Sequence, residues 1–167
     1  MRHSEPMPHI DIMIEDSRWE DAALGPLATR AFSASFDALA LSDTFEVSLL
    51  GCDDARIAGL NADFRGKPSP TNVLSWPSTD LSSQTPGGAP DQPDTADPEL
   101  GDIAIAYETC QREATEQQKP FEDHVSHLLV HGLLHLLGYD HENEPDAALM
   151  EGLEREILAK MGVPDPY

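Results

Sequence analysis

Apolar residues recur at two spacings along this chain, and the alternation between the two predicts its elements. His9 to Glu15 reads H-I-D-I-M-I-E, with Ile10, Ile12 and Ile14 at every second position, the period of a half-buried strand. Between Trp19 and Ala40, the residues Leu24, Leu27, Ala28, Ala31 and Phe32 follow helical spacing. Gly25-Pro26 interrupts that run, so a helix is expected from about Pro26. Phe45, Val47 and Leu49 alternate again as a second strand, and Gly51-Cys52-Asp53-Asp54 supplies a turn and an acidic N-cap for a helix from Ala55 to Phe64. Val73 to Trp76 and Ile103 to Ala106 read as a third and a fourth strand. Helices are expected over Tyr107 to Gln118, over the strongly apolar Phe121 to Leu137, and over the amphipathic Asp146 to Met161.

One stretch follows neither period. Ser78 to Pro98 is mostly Ser, Thr, Gly, Pro and Asp, with Leu81 its only large aliphatic residue and no Lys or Arg. Such a segment buries too little apolar surface to offset the entropy of ordering, and it is expected to be a flexible acidic loop within a single domain spanning residues 1–167. At 167 residues, one hydrophobic core suffices without staples. Cys52 and Cys110 lie far apart and form no C-x-x-C pair, so they read as reduced core thiols. Residues 1–10 hold charges and two prolines but no secretory apolar run, and nowhere do eighteen apolar residues follow one another. A cytoplasmic protein with no membrane partner is expected. Its formal net charge is -21, from 10 Lys and Arg against 31 Asp and Glu, which repels a free polyanion and gives a well-solvated surface.

The chemistry concentrates in His131 to His141, H-G-L-L-H-L-L-G-Y-D-H. On a helix, His131 and His135 are one turn apart and project from the same face, at a separation one metal ion can bridge. A histidine on an apolar helix face is more often a hydrogen-bonded core residue than a ligand. Here Gly138 can take the left-handed conformation that ends a helix and returns the chain, so that His141 joins the other two. Three imidazoles leave the fourth position of a tetrahedral zinc to water, as in catalytic sites. His127 is expected to pack behind His131, and His124 to be exposed. The spacing matches the metzincin protease signature H-E-x-x-H-x-x-G-x-x-H except at Gly132, which replaces the glutamate that serves as general base. A metalloprotease is therefore the second reading.

Several further stretches resemble the YbeY endoribonuclease family, bacterial factors of ribosomal RNA maturation. They are Leu60-Asn61 through Arg65-Gly66, Pro70 to Pro77, Gly101 to Ile105, Arg112-Glu113-Ala114, and His127 to His141, ending at Met150 and Leu153-Glu154. The resemblance implies an α+β fold, with a small mixed four-stranded sheet packed against about five helices and the zinc site on a central helix and the turn after it. It implies one zinc per chain on His131, His135 and His141, and an arginine serving activity, which is Arg65 here. Single-strand-specific cleavage in 16S rRNA 3′ end maturation and ribosome quality control would follow, with ribosomal RNA and the small ribosomal subunit as partners. A planar guanidinium suits this chemistry because it can hold two phosphate oxygens at once. The acidic balance suggests that basic ribosomal or assembly proteins bridge to the chain. A catalytically silent ribosome-assembly factor is a third reading, although it leaves the three-ligand cage unexplained.

Overall fold

The computed structural model describes residues 8–167. The reading of residues 1–10 as lacking a secretory segment thus lies, for residues 1–7, outside the described residues. In chain order the elements are β1 (His9–Ile14), α1 (Arg18–Asp21), α2 (Leu24–Ala38), β2 (Glu46–Cys52), α3 (Asp54–Arg65), β3 (Val73–Pro77), β4 (Glu99–Ala106), α4 (Tyr107–Glu116), α5 (Phe121–Leu136) and α6 (Glu144–Lys160). The sheet order is β1-β2-β4-β3. Its first three strands run parallel and β3 runs antiparallel to β4, so the sheet is mixed, and with six helices among the described residues the fold is α+β as expected. No described helix is long and apolar enough to cross a membrane.

Alternation sets the two faces of the sheet. Val47, Leu49, Ile103 and Ile105 join the main core with the buried residues of α2, α5 and α6, whereas Cys52, Leu74, Ala104 and Ala106 form a smaller cluster with Ile57 of α3. β4 is longer than its apolar run suggested. Its polar start, from Glu99, pairs with β2 through a register shift at Glu46/Val47, and Gly101 adopts φ +143 where an added Cβ would lie 2.2 Å from the Trp76 carbonyl oxygen. The short α1, absent from the sequence reading, is anchored by Trp19. Its ring is fully buried against Tyr107 and Phe121, and its Nε1 donates to the Cys52 carbonyl at 2.9 Å. Ala23 then breaks the chain with φ 58, and α2 begins two residues before Pro26, which its first turn tolerates.

α5 lies across the sheet within the core. Gly132 makes that crossing close, because a Cβ there would sit 3.3 Å from both Cδ1 and Cγ2 of Ile103 on β4. The segment 78–98 forms no helix or strand, and most of it is exposed. Its stem is nonetheless seated: Asp91 N–H donates to the Leu81 carbonyl and Gly87 N–H to the Asp146 carboxylate.

Candidate metal centre

α5 ends as its sequence requires. Gly138 N–H donates to the His135 carbonyl and Tyr139 N–H to that of Leu134, a Schellman closure with Gly138 at φ +103. Only glycine fits there, since a Cβ would fall 2.7 Å from the Leu81 carbonyl carbon. The turn brings His141 back to His131 and His135, so that one ring nitrogen of each lies within 4.8 Å of the other two. The ring centroids are 4.5, 5.3 and 5.2 Å apart.

The hydrogen bonds at the far side of two rings settle what the near side offers. His135 Nδ1 stands 3.0 Å from the Tyr139 carbonyl oxygen, which can only accept, so the ring proton is on Nδ1. His131 Nδ1 donates likewise to Glu154 Oε1 at 2.7 Å. The two Nε2 lone pairs are therefore turned on each other at 3.0 Å, an arrangement that is repulsive by itself and that a cation between them would stabilise. Burial, then the neighbouring His131 and His141, lowers the His135 pKa to about 4, which keeps this ring neutral and able to ligate at neutral pH. The donor set fits a metal ion.

Glu154 supports the cluster from behind. Its side chain is fully buried, with Oε1 on His131 and Oε2 on His127 Nε2 at 2.7 Å and on the Tyr167 hydroxyl. Burial would raise its pKa, but the hydrogen bonds from His127, His131 and Tyr167 outweigh that and hold it at about 2. Among the described residues no Lys or Arg pairs with this buried anion. An ion carried by His131 would give it a counter-charge. A signal existed in the sequence: Glu154 interrupts the apolar stripe Met150, Ile157, Leu158 of α6, where a carboxylate needs a buried partner.

His127 packs behind His131 as expected. His124 corrects the sequence reading, because it is buried rather than exposed, with Nε2 3.0 Å from Glu113 Oε1. Glu113 comes from α4 and also accepts from Asn72 Nδ2, so this polar link ties α4, α5 and the entry to β3 together. Helix periodicity within α5 cannot show a partner that arrives from another element.

Arg65 is the last residue of α3, held by Asp53 as side-chain N-cap and by Gly66 at φ 69 as its stop. It lines a cavity of about 470 Å³ together with His135, His141, Ser75, Asp80, Asp140 and Glu142. None of the ion pairs among the described residues engages it. Arg56 and Lys67 do not line this cavity, and Arg56 pairs with Glu15 at 3.2 Å.

Comparison with known proteins agrees with this architecture. The family model described as Endoribonuclease YbeY matches residues 10–162. A curated protein of that name from Paracoccus denitrificans is 58% identical over 158 residues, 95% of this chain and 89% of the relative. Namesakes from Ruegeria pomeroyi and Cereibacter sphaeroides are each 59% identical, over 95% and 96% of this chain and 97% and 99% of their own lengths. A solution structure from Thermotoga maritima superposes with a TM-score of 0.56 at 20% identity, over 92% of this chain and 91% of that one, which is a likeness of fold.

Proposed function

Because this chain belongs to the YbeY endoribonuclease family, we propose that it is a zinc-dependent endoribonuclease. In this reading residues 1–167 form one hydrolase domain that works in the cytoplasm on single-stranded ribosomal RNA, in 16S rRNA 3′ end maturation and ribosome quality control. The observation that carries it is the shared cavity: Arg65 lines it together with His135 and His141, and His131 completes the histidine cluster.

His131, His135 and His141 would hold one Zn²⁺, which when bound polarises a phosphate oxygen or lowers the pKa of a water to about 7. The chain's own residues do the rest. The Tyr139 carbonyl and Glu154 keep the Nδ1 protons of His135 and His131 in place, so both Nε2 atoms stay directed into the centre. Arg65 can hold two non-bridging oxygens of a phosphodiester and offset the charge that grows on them. Asp80, Asp140 and Glu142 are the carboxylates of the cavity and the candidate proton acceptors. A peptidase base is harder to accommodate, since the Cβ direction at Gly132 meets Ile103.

The test is substrate choice. The zinc-loaded protein should cut single-stranded RNA within ribosomal precursors and leave denatured casein intact, and activity should disappear with a chelator and return with metal. Equal cleavage by His131→Ala would assign the activity to a contaminant and favour the silent assembly factor, whereas cut casein would favour the metalloprotease.

A further inference from the structure

Residues 163–167 lie outside the stretch matched by the family model, yet they are tied to the back of the metal centre. The end of α6 turns at Gly162, and Val163 N–H donates to the Leu158 carbonyl. From there the segment is tethered at both sides. Lys119 Nζ donates to the Pro166 carbonyl at 3.0 Å, before α5, and Arg155 of α6 donates through Nε to both carboxylate oxygens of Asp165 at 3.2 and 3.1 Å. Pro164 and Pro166 restrict the backbone of this segment, so ordering it on folding costs less entropy.

Its last residue reaches Glu154. The Tyr167 ring stands edge-on to His127, with centroids 5.5 Å apart, and the Arg155 guanidinium lies 5.3 Å from its centre. Its hydroxyl donates to Glu154 Oε2, the oxygen that also accepts from His127, while Oε1 is left to His131 alone. Burial, and then the adjacent Glu154, raises the Tyr167 pKa, so the hydroxyl remains a donor. A carboxylate with one donor per oxygen can still rotate about its terminal torsion, which is soft. Two donors converging on Oε2 hold that torsion, and with it the direction of Oε1.

We infer that Tyr167 is a positioning residue of the metal centre, which acts through Glu154 to fix the direction in which His131 presents Nε2. This rests on the metal reading proposed above. The effect is expected on metal affinity and ligand geometry, because groups that orient a ligating histidine contribute about 10–100-fold in affinity.

The experiment uses the full chain, stripped of metal and titrated with Co²⁺ against a chromophoric chelator, with the visible cobalt bands recorded. Tyr167→Phe keeps the ring and loses the hydroxyl; it should bind Co²⁺ about tenfold more weakly than the parent and shift the bands, while still unfolding in one cooperative transition at a melting temperature only a few degrees lower. Combining it with Glu154→Gln should weaken binding no more than Glu154→Gln does alone, since one acts through the other. Parent-like affinity and spectrum in Tyr167→Phe would overturn the inference. So would a Tyr167→Leu variant that loses metal where Tyr167→Phe does not, because that pattern assigns the residue to packing. A parent chain that binds neither Co²⁺ nor Zn²⁺ would fail the metal reading itself, a result visible before any variant is made.

Discussion

Restoring the protease signature with Gly132→Glu tests whether α5 is shaped for its present chemistry. In a helix interior this exchange gains up to about 1 kcal/mol from propensity alone. Against that, the new Cβ would meet two Ile103 atoms at 3.3 Å, and Ile103 is 1% exposed on an inner strand with little room to yield. Overpacking of this kind costs about 1–3 kcal/mol, and a carboxyl group pressed into an apolar core without a partner about 1–3 more. The net loss is about 1–5 kcal/mol, or roughly 2–20 °C in melting temperature for a chain of this length. Gly132→Ala is the control: its propensity gain and its tight contact nearly cancel, leaving stability within about 1 kcal/mol of the parent. Urea denaturation of the three proteins, followed by assays on casein and RNA, reads the outcome. A Gly132→Glu variant as stable as the parent would refute the close helix–sheet approach, and one that also cut casein would refute the exclusion of a base at that position.

His135→Ala should leave the purified protein without stoichiometric zinc, since two imidazoles cannot hold the ion as three do; elemental analysis decides, and zinc retained at one per chain removes His135 from the cage. Arg65→Ala should keep zinc and fold but lose about 100-fold in turnover on RNA, and unchanged turnover would return Arg65 to an ordinary surface role. In the metal-free chain, His135 falls from 6.5 to about 4 on folding and Glu154 from 4.5 to about 2. Both are depressed, so the unfolded state takes up protons first and stability should fall with pH, through His135 between 6.5 and 4 and through Glu154 below 4.5; urea midpoints that stay level from pH 7 to 4 would contradict this. Excision of residues 84–96 should lower the melting temperature by only a few degrees, because these residues are exposed or half-exposed, and a large fall would show a packed loop.

The parts of the fold that one element can specify were legible in the sequence. Alternating Ile10, Ile12 and Ile14 marked β1, and Gly138 three residues after His135 marked the turn that brings His141 home. What escaped depends on partners from distant segments. Glu154 sits in the apolar stripe of α6, which marks it as buried but does not name its partners, His127 and His131 of α5, and His124 reads as exposed until Glu113 arrives from α4. α1 has too few residues to show a period, and Trp19 fixes it through the Cys52 carbonyl rather than through propensity. Arg65 was singled out through resemblance; its shared cavity with His135 and His141 follows from where α3 stops, which Gly66 marks but does not aim.

Arg65, the single Lys or Arg among the described residues that line the histidine cavity, stands among Asp80, Asp140 and Glu142, on a chain of net charge -21. Most proteins that bind nucleic acid lose affinity as salt is added, because they release counterions from the phosphates. Here the long-range force has the opposite sign. As the screening length shrinks from about 30 Å at 0.01 M salt to about 10 Å at 0.1 M, repulsion at a distance fades while the short contact to Arg65 survives, so encounters with RNA should become faster. On the function proposed above, a transcript drifting freely would be turned away before it reached the histidines, and one presented on a particle rich in basic protein would not. The charge of the surface would then select a substrate by where it is presented.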